Sequence, residues 1–332
     1  MNRFIQLVML VLLFAVSSQQ GFAKTLKIAT IVPAGTTWMK ELKKGADAVK
    51  LRTDGRVKIK YYPGGVMGNE QSVHRKIKIG QLQGGAFTSG GLAQVYPDIQ
   101  SLSLPMLFDS FEEVDYVRAR IDPVLKRNIE KSGFVLLGIS EGGFARILSQ
   151  TPLRDLESIR LTRVWIPEGD YVVRETFKTL GISPVSLPIS DVFTGLQTGL
   201  IETIAVNPTA AIAFQWHTKM NYMTETPLIY LIGTLAVQKK VFDQLKAEDQ
   251  AVLREEIGLA FERLDRLNRS DNKSATEALA NLGIQFVRPD AAELARWKSL
   301  SAESIDVMIQ NGGISQTMVD DIRRNLAEFR SQ

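Results

Sequence analysis

Short apolar runs alternate along the chain with stretches whose apolar residues recur at helical spacing. Leu26 to Ile31 reads as a buried first strand, and Pro33-Ala34-Gly35 turns the chain. Thr36 or Thr37 can then cap a helix that places Trp38, Leu42, Ala46 and Val49 on one face. Val57, Ile59 and Tyr61 alternate with Lys58 and Lys60, the pattern of a half-exposed strand. A helix is predicted from about Asn69 to Ile79, closed by Gly80, with a short strand from Gly85 to Thr88. Ser110 and Glu113 have capping-box spacing and start a helix through Val114, Val117 and Ile121; Phe134 to Ile139 is the next strand.

Further on the pattern repeats in outline. Val185 to Leu187 is a strand broken by Pro188, Ser190 caps a helix with Val192, Phe193 and Leu196, and Thr203 to Val206 is a strand that stops at Asn207-Pro208. From about Ala247 to Leu282 there is no proline and one glycine, which predicts a helix far longer than average, able to cross between two halves of the molecule. Strands alternating with helices imply an α/β fold with a mainly parallel sheet. In open α/β sheets ligands bind beyond the carboxyl ends of the strands. Two facing halves would therefore bring Thr88, Ser89 and Asn207 to opposite walls of one cleft.

Composition narrows the class. The 332 residues are 45% hydrophobic and 23% charged, enough for two domains of ordinary globular character. Met1-Asn2-Arg3, the apolar run Phe4 to Val16, and Gly21-Phe22-Ala23 read as a secretory signal over residues 1–23, cleaved after Ala23. Cysteine is absent, so burial alone must hold an exported chain together. The net charge of +4 is no nucleic-acid footprint, and two histidines, His74 and His217, do not make a zinc site. No cofactor, metal or nucleic-acid partner is expected.

Two patterns carry chemistry. Gly138-Ile139-Ser140-Glu141-Gly142 matches G-x-S-x-G after a strand, so a secreted serine hydrolase using Ser140 is the alternative reading, although the segment that follows reads as extended where a nucleophile elbow turns into a helix. The other is Arg163, in the strand-like run Ile159 to Pro167 ahead of a helix capped by Asp170. A charge amid apolar residues at a strand end is costly unless paired, and an arginine fork fits a carboxylate with two hydrogen bonds. Arg146 is a second candidate clamp, and Trp165 and Trp38 are candidate apolar walls.

At these residues the chain resembles the substrate-binding proteins of TRAP transporters, the DctP-type family. Gly55-Arg56-Val57 through Tyr62-Pro63-Gly64-Gly65 and Gly68, Leu104-Pro105-Met106-Leu107-Phe108, and Leu187-Pro188 through Leu196-Gln197-Thr198-Gly199 are similar to that family's motifs. The resemblance implies a two-lobed α/β fold of the periplasmic-binding-protein kind, with a long interlobe helix, that closes on its ligand. The expected division is residues 24–143 with about 233–272 in lobe I, and 144–232 with about 273–332 in lobe II. It further implies a non-catalytic periplasmic protein that captures a small organic anion, a carboxylate, for the membrane subunits of a TRAP transporter; a sensory membrane partner is the other possibility. A strand arginine in the family's K-I-R-V motif binds the carboxylate, which Arg163-Val164 resembles, with Arg146 as the assisting arginine and Asn207 as the asparagine of Q-E-N-P. Ala205-Val206 departs from that motif, and Trp165-Ile166-Pro167 follows Arg163-Val164 where the family often has proline at once.

Overall fold

In a computed structural model of the chain the described residues are 23–332. The predicted signal segment, apart from Ala23, lies outside them. Strand β1 (Lys24–Thr30) leads into helix α1 (Thr37–Arg52), β2 (Val57–Tyr62), α2 (Glu70–Lys78) and β3 (Gly84–Thr88). Helix α3 (Phe111–Lys131) precedes β4 (Phe134–Ser149), a strand of 16 residues. Then come β5 (Trp165–Pro167), α4 (Tyr171–Thr179), β6 (Val185–Leu187), α5 (Val192–Gln197), β7 (Thr203–Val206) and α6 (Pro208–Ala213). The remainder is β8 (Tyr222–Thr224), β9 (Ile229–Gln238), α7 (Ala247–Asn281), β10 (Gln285–Val287), α8 (Ala291–Gln310) and α9 (Gln316–Arg330).

The sheet is mixed rather than mainly parallel. β1 pairs in parallel with β2 and β3, and β5 with β6, as the βα alternation predicts. The long strands β4 and β9 run antiparallel to each other and to their neighbours β3, β7 and β8. These two strands cross from one half of the molecule to the other, a role that alternation within each half cannot reveal. Their register shifts between Glu141 and Gly143, where Gly143 takes φ +86°. A bulge with a left-handed residue needs glycine. Gly138 of the G-x-S-x-G stretch sits at the strand's other register shift, where a Cβ would lie 2.2 Å from Phe261 of α7, so it too shapes a crossing strand.

The long helix α7 packs on α1 and β4, with Leu253, Ile257, Phe261 and Leu264 buried in the core they share. Gly45 of α1 lets that helix approach closely, since a Cβ there would meet Ala260 at 3.1 Å. Two expectations are corrected. Leu156–Arg160 is a helix capped by Asp155, so the run Ile159 to Pro167 is strand only from Trp165. Ser190 makes no cap bond to α5; its hydroxyl turns to Asp191. Helix α8 packs on α4, and α9 packs on α3. There Met318, Ile322 and Leu326 join Val114, Val117 and Ile121 of α3 in one core, and Arg330 donates to Glu113 at 2.7 Å.

Candidate functional site

A cavity of about 230 Å³ opens where the carboxyl ends of β1, β3, β5 and β7 converge under α7. One wall is the first half: the turn after β1, Trp38 at the start of α1, and Thr88 and Ser89 after β3. The facing wall is Trp165 of β5, Asn207 after β7, and Phe214 and Trp216 beyond α6. β9 and the α7 residues Asn268, Asp271 and Asn272 form its floor.

The aromatic wall is built by packing. Trp165 is buried, donates Nε1–H to the Leu187 carbonyl at 3.0 Å, and meets Trp216 edge-on at 5.5 Å between ring centres. Phe214 stacks on Trp216 at 4.9 Å. Most polar groups here already have partners. The Asn207 oxygen caps α6 by accepting from Ala210 N at 2.8 Å, while its amide donates to the Gly142 carbonyl. Asn272 donates to the same carbonyl at 2.9 Å and accepts from Thr209. The crossing strands, α6 and α7 are thus tied together at the cavity edge.

Of the residues expected at the site, Trp165, Thr88, Ser89 and Asn207 line the cavity. Arg163 does not. It stands before β5, its side chain 53% exposed, donating to the Gly199 carbonyl at 2.8 Å and pairing with Glu202 at 2.5 Å. The lining gives no support to the expectation that it clamps a carboxylate: Arg163 lies two residues ahead of β5, and its guanidinium is satisfied by Gly199 and Glu202. Arg163→Ala should therefore leave solute affinity within twofold and cost at most about 1 kcal/mol, as exposed pairs do. A tenfold loss in calorimetry would restore Arg163 to the site.

Arg146 is also outside the lining. It sits on β4 opposite Val206, half-buried, and burial lowers its pKa despite the nearby Glu225 carboxylate. Ser140 is fully buried within β4 and donates to Asp265 at 2.7 Å, so it has neither the elbow nor the exposure of a nucleophile. The histidines are engaged elsewhere, His74 with the Gly91 carbonyl and His217 with that of Ala211. Sequence reasoning missed Phe214, Trp216, Asp271 and Asn272. The signals were a Phe-x-Trp pair after Asn207-Pro208 and two polar residues in the apolar stripe of α7.

Beside the cavity the halves meet through acids. Asn69 of the first half donates to Glu168 at 2.8 Å, and Gln100 donates to Asp170 at 2.6 Å. Glu70 accepts from the Thr88 amide and hydroxyl at 2.7 and 2.9 Å. A Cβ on Gly91 would lie 2.3 Å from the Glu70 carboxyl, and one on Gly90 3.0 Å from Asp170. The Gly90-Gly91 pair makes room for these two carboxyls. Burial pushes the Glu70 pKa up to about 7, against its hydrogen bonds from Thr88 and helped by the charge of Asp170. Because the folded pKa is raised, Glu70's contribution is fully present below about pH 4.5 and is lost as pH rises through about 7. The melting temperature should fall over that window, and Glu70→Gln should flatten that part of the curve. Identical slopes in both proteins would disprove it.

Two halves joined by crossing strands and a spanning helix, with a cavity at the strand ends between them, define a two-lobed solute-binding protein. The family model for bacterial extracellular solute-binding protein family 7, DctP, matches residues 28–311, and the chain belongs to this family of TRAP-type solute-binding proteins. The C4-dicarboxylate-binding periplasmic protein DctP of Rhodobacter capsulatus is 21% identical over 294 residues, 87% of each chain. Among solved structures, the sugar acid binding protein DctPAm of Advenella mimigardefordensis, in complex with galactonate, superposes with TM-score 0.85 at 18% identity, over 92% of this chain and 99% of that one. A TRAP periplasmic solute-binding protein of Haemophilus influenzae with bound L-gulonate gives TM-score 0.84 at 21% identity, over 91% and 100%. The family and these neighbours are binding proteins, and nothing supports the hydrolase alternative.

Proposed function

We propose that this chain captures one small organic solute in the cavity between its lobes, outside the cytoplasm, and presents it to the membrane subunits of a TRAP-type transporter. The observation that carries the reading is the 230 Å³ cavity walled by both halves at their strand ends. A solute touching both walls stabilises the closed arrangement by its differential affinity for it. The N-terminal signal pattern supports delivery to the periplasm. The galactonate and L-gulonate held by the structural neighbours indicate the size and class of solute to try first, small organic acids and their close analogues. Thr88, Ser89, Trp165 and Asn207 are the contacts proposed, and the lobes divide near residues 143 and 232 with α9 on lobe I.

Native mass spectrometry of the protein from a periplasmic extract should show one retained small molecule per chain. Its release and rebinding should be measurable by calorimetry, and deleting the membrane subunits should abolish its uptake. A chain that carries nothing and binds no solute from a broad metabolite panel would refute the reading.

A further inference from the structure

The cavity contains no counter-charge for an anion. Among the described residues, none that lines it is Lys, Arg or His; the only charged side chains in its lining are Asp170 and Asp271. Arg163 and Arg146, the two cations the sequence offered, both stand outside. Asp170 is engaged by Gln100 and by the Val173 amide at the head of α4. Asp271 differs. One of its oxygens accepts from the Thr37 hydroxyl at 2.7 Å, and it has no ion-pair partner among the described residues. Asp271 is half-buried, and its second oxygen is an open acceptor at the cavity for a ligand's hydrogen-bond donor or positive charge. An anion placed there would meet like charge in a medium of low dielectric.

The remaining surface is aromatic and aliphatic. Trp38 and Phe214, both only partly buried, face it from opposite halves, and Phe87, Trp165 and Trp216 pack behind them. An apolar cavity of about 150 Å³ holds benzene. The 230 Å³ here has room for a ring with a short arm. Aromatic walls with an acid among them are the chemistry that receives ammonium groups.

Resting on the solute-capture reading above, we infer that this cavity selects a ring-bearing solute for a hydrogen-bond donor, an amine foremost, that reaches Asp271, and discriminates against a carboxylate at that position. The ring lies between the aromatic walls and the donor pairs with the Asp271 oxygen that Thr37 leaves open.

The test is calorimetry with three molecules of one shape: 2-phenylethylamine, phenylacetamide and phenylacetate, with galactonate as a fourth probe, on the full chain and on Asp271→Asn. The amine should bind at least tenfold tighter than the acid, and Asp271→Asn should reduce that ratio at least tenfold while leaving phenylacetamide within twofold. Tighter binding of phenylacetate or galactonate than of the amine, or a ratio unchanged by Asp271→Asn, would overturn the inference while leaving solute capture intact. Failure of all four to bind, with no solute retained in native mass spectrometry, would overturn both.

Discussion

Replacing Arg118 with methionine should destabilise the protein by about 3–5 kcal/mol, the range for removing one partner from a buried ionic network. Arg118 on α3 is 8% exposed. It donates to Asp122 at 2.9 Å, to Asp265 of α7 at 3.1 Å, to the Tyr230 hydroxyl of β9 at 3.3 Å and to the Ile139 carbonyl of β4 at 2.9 Å. Burial opposes its charge, yet Asp122, Tyr230 and Asp265 outweigh that and raise its pKa. Asp265 in turn accepts from Ser140 and from the Glu141 amide, both at 2.7 Å. Glu141, with no exposed surface, is held by Arg269 at 2.9 Å. One guanidinium thus binds α3, both crossing strands and the long helix. Its loss leaves the Asp122 carboxyl without its cation, and burial already raises that group's pKa, so the deficit should shrink as pH falls toward 4. Urea denaturation at pH 7 and pH 4 measures both parts. A loss under about 1 kcal/mol, or one that does not depend on pH, would show that the network is not coupled as drawn.

The second large effect belongs to Trp165. Trp165→Ala should weaken solute binding by about 1–1.5 kcal/mol, roughly 5- to 13-fold. The indole is 3% exposed, so its loss acts through the wall it supports more than through direct contact with a solute. The lost edge contact with Trp216 loosens the rest of the wall by up to about 1.5 kcal/mol. Trp165→Phe should retain most of the affinity because it keeps a ring against Trp216. Melting curves separate the effect from unfolding, since the cost of truncating a packed tryptophan falls on stability as well. Wild-type affinity in a folded Trp165→Ala protein would remove the aromatic wall from the recognition surface.

How much of this was legible beforehand varies by element. The long helix declared itself through its length without proline, and its observed span Ala247–Asn281 is close to the expected one. Thr36, Asn69, Ser110 and Asp170 cap their helices through side chains that accept the first free amides, a local interaction readable from spacing. Asn207 and Thr88 came to the cavity because strand ends with polar residues are local features too. Arg163 misled because its pairing with Glu202, 39 residues away, leaves no trace in its neighbourhood. Where β5 begins decides that Trp165, and not Arg163, belongs to the strand at the cavity, and that start is set by the bonds of β5 to β6.

By itself the sequence determined the alternation of strands and helices, the caps and turns, the family, and the two strand ends that face each other. These depend on contacts within a few residues or on patterns repeated along the chain. Tertiary structure alone decided that β4 and β9 cross between the halves, that α9 packs on α3, and that the cavity presents Asp271 and rings rather than an arginine. Those outcomes are sums over partners far apart in the chain, where a shift of one strand or helix face exchanges a buried residue for an exposed one.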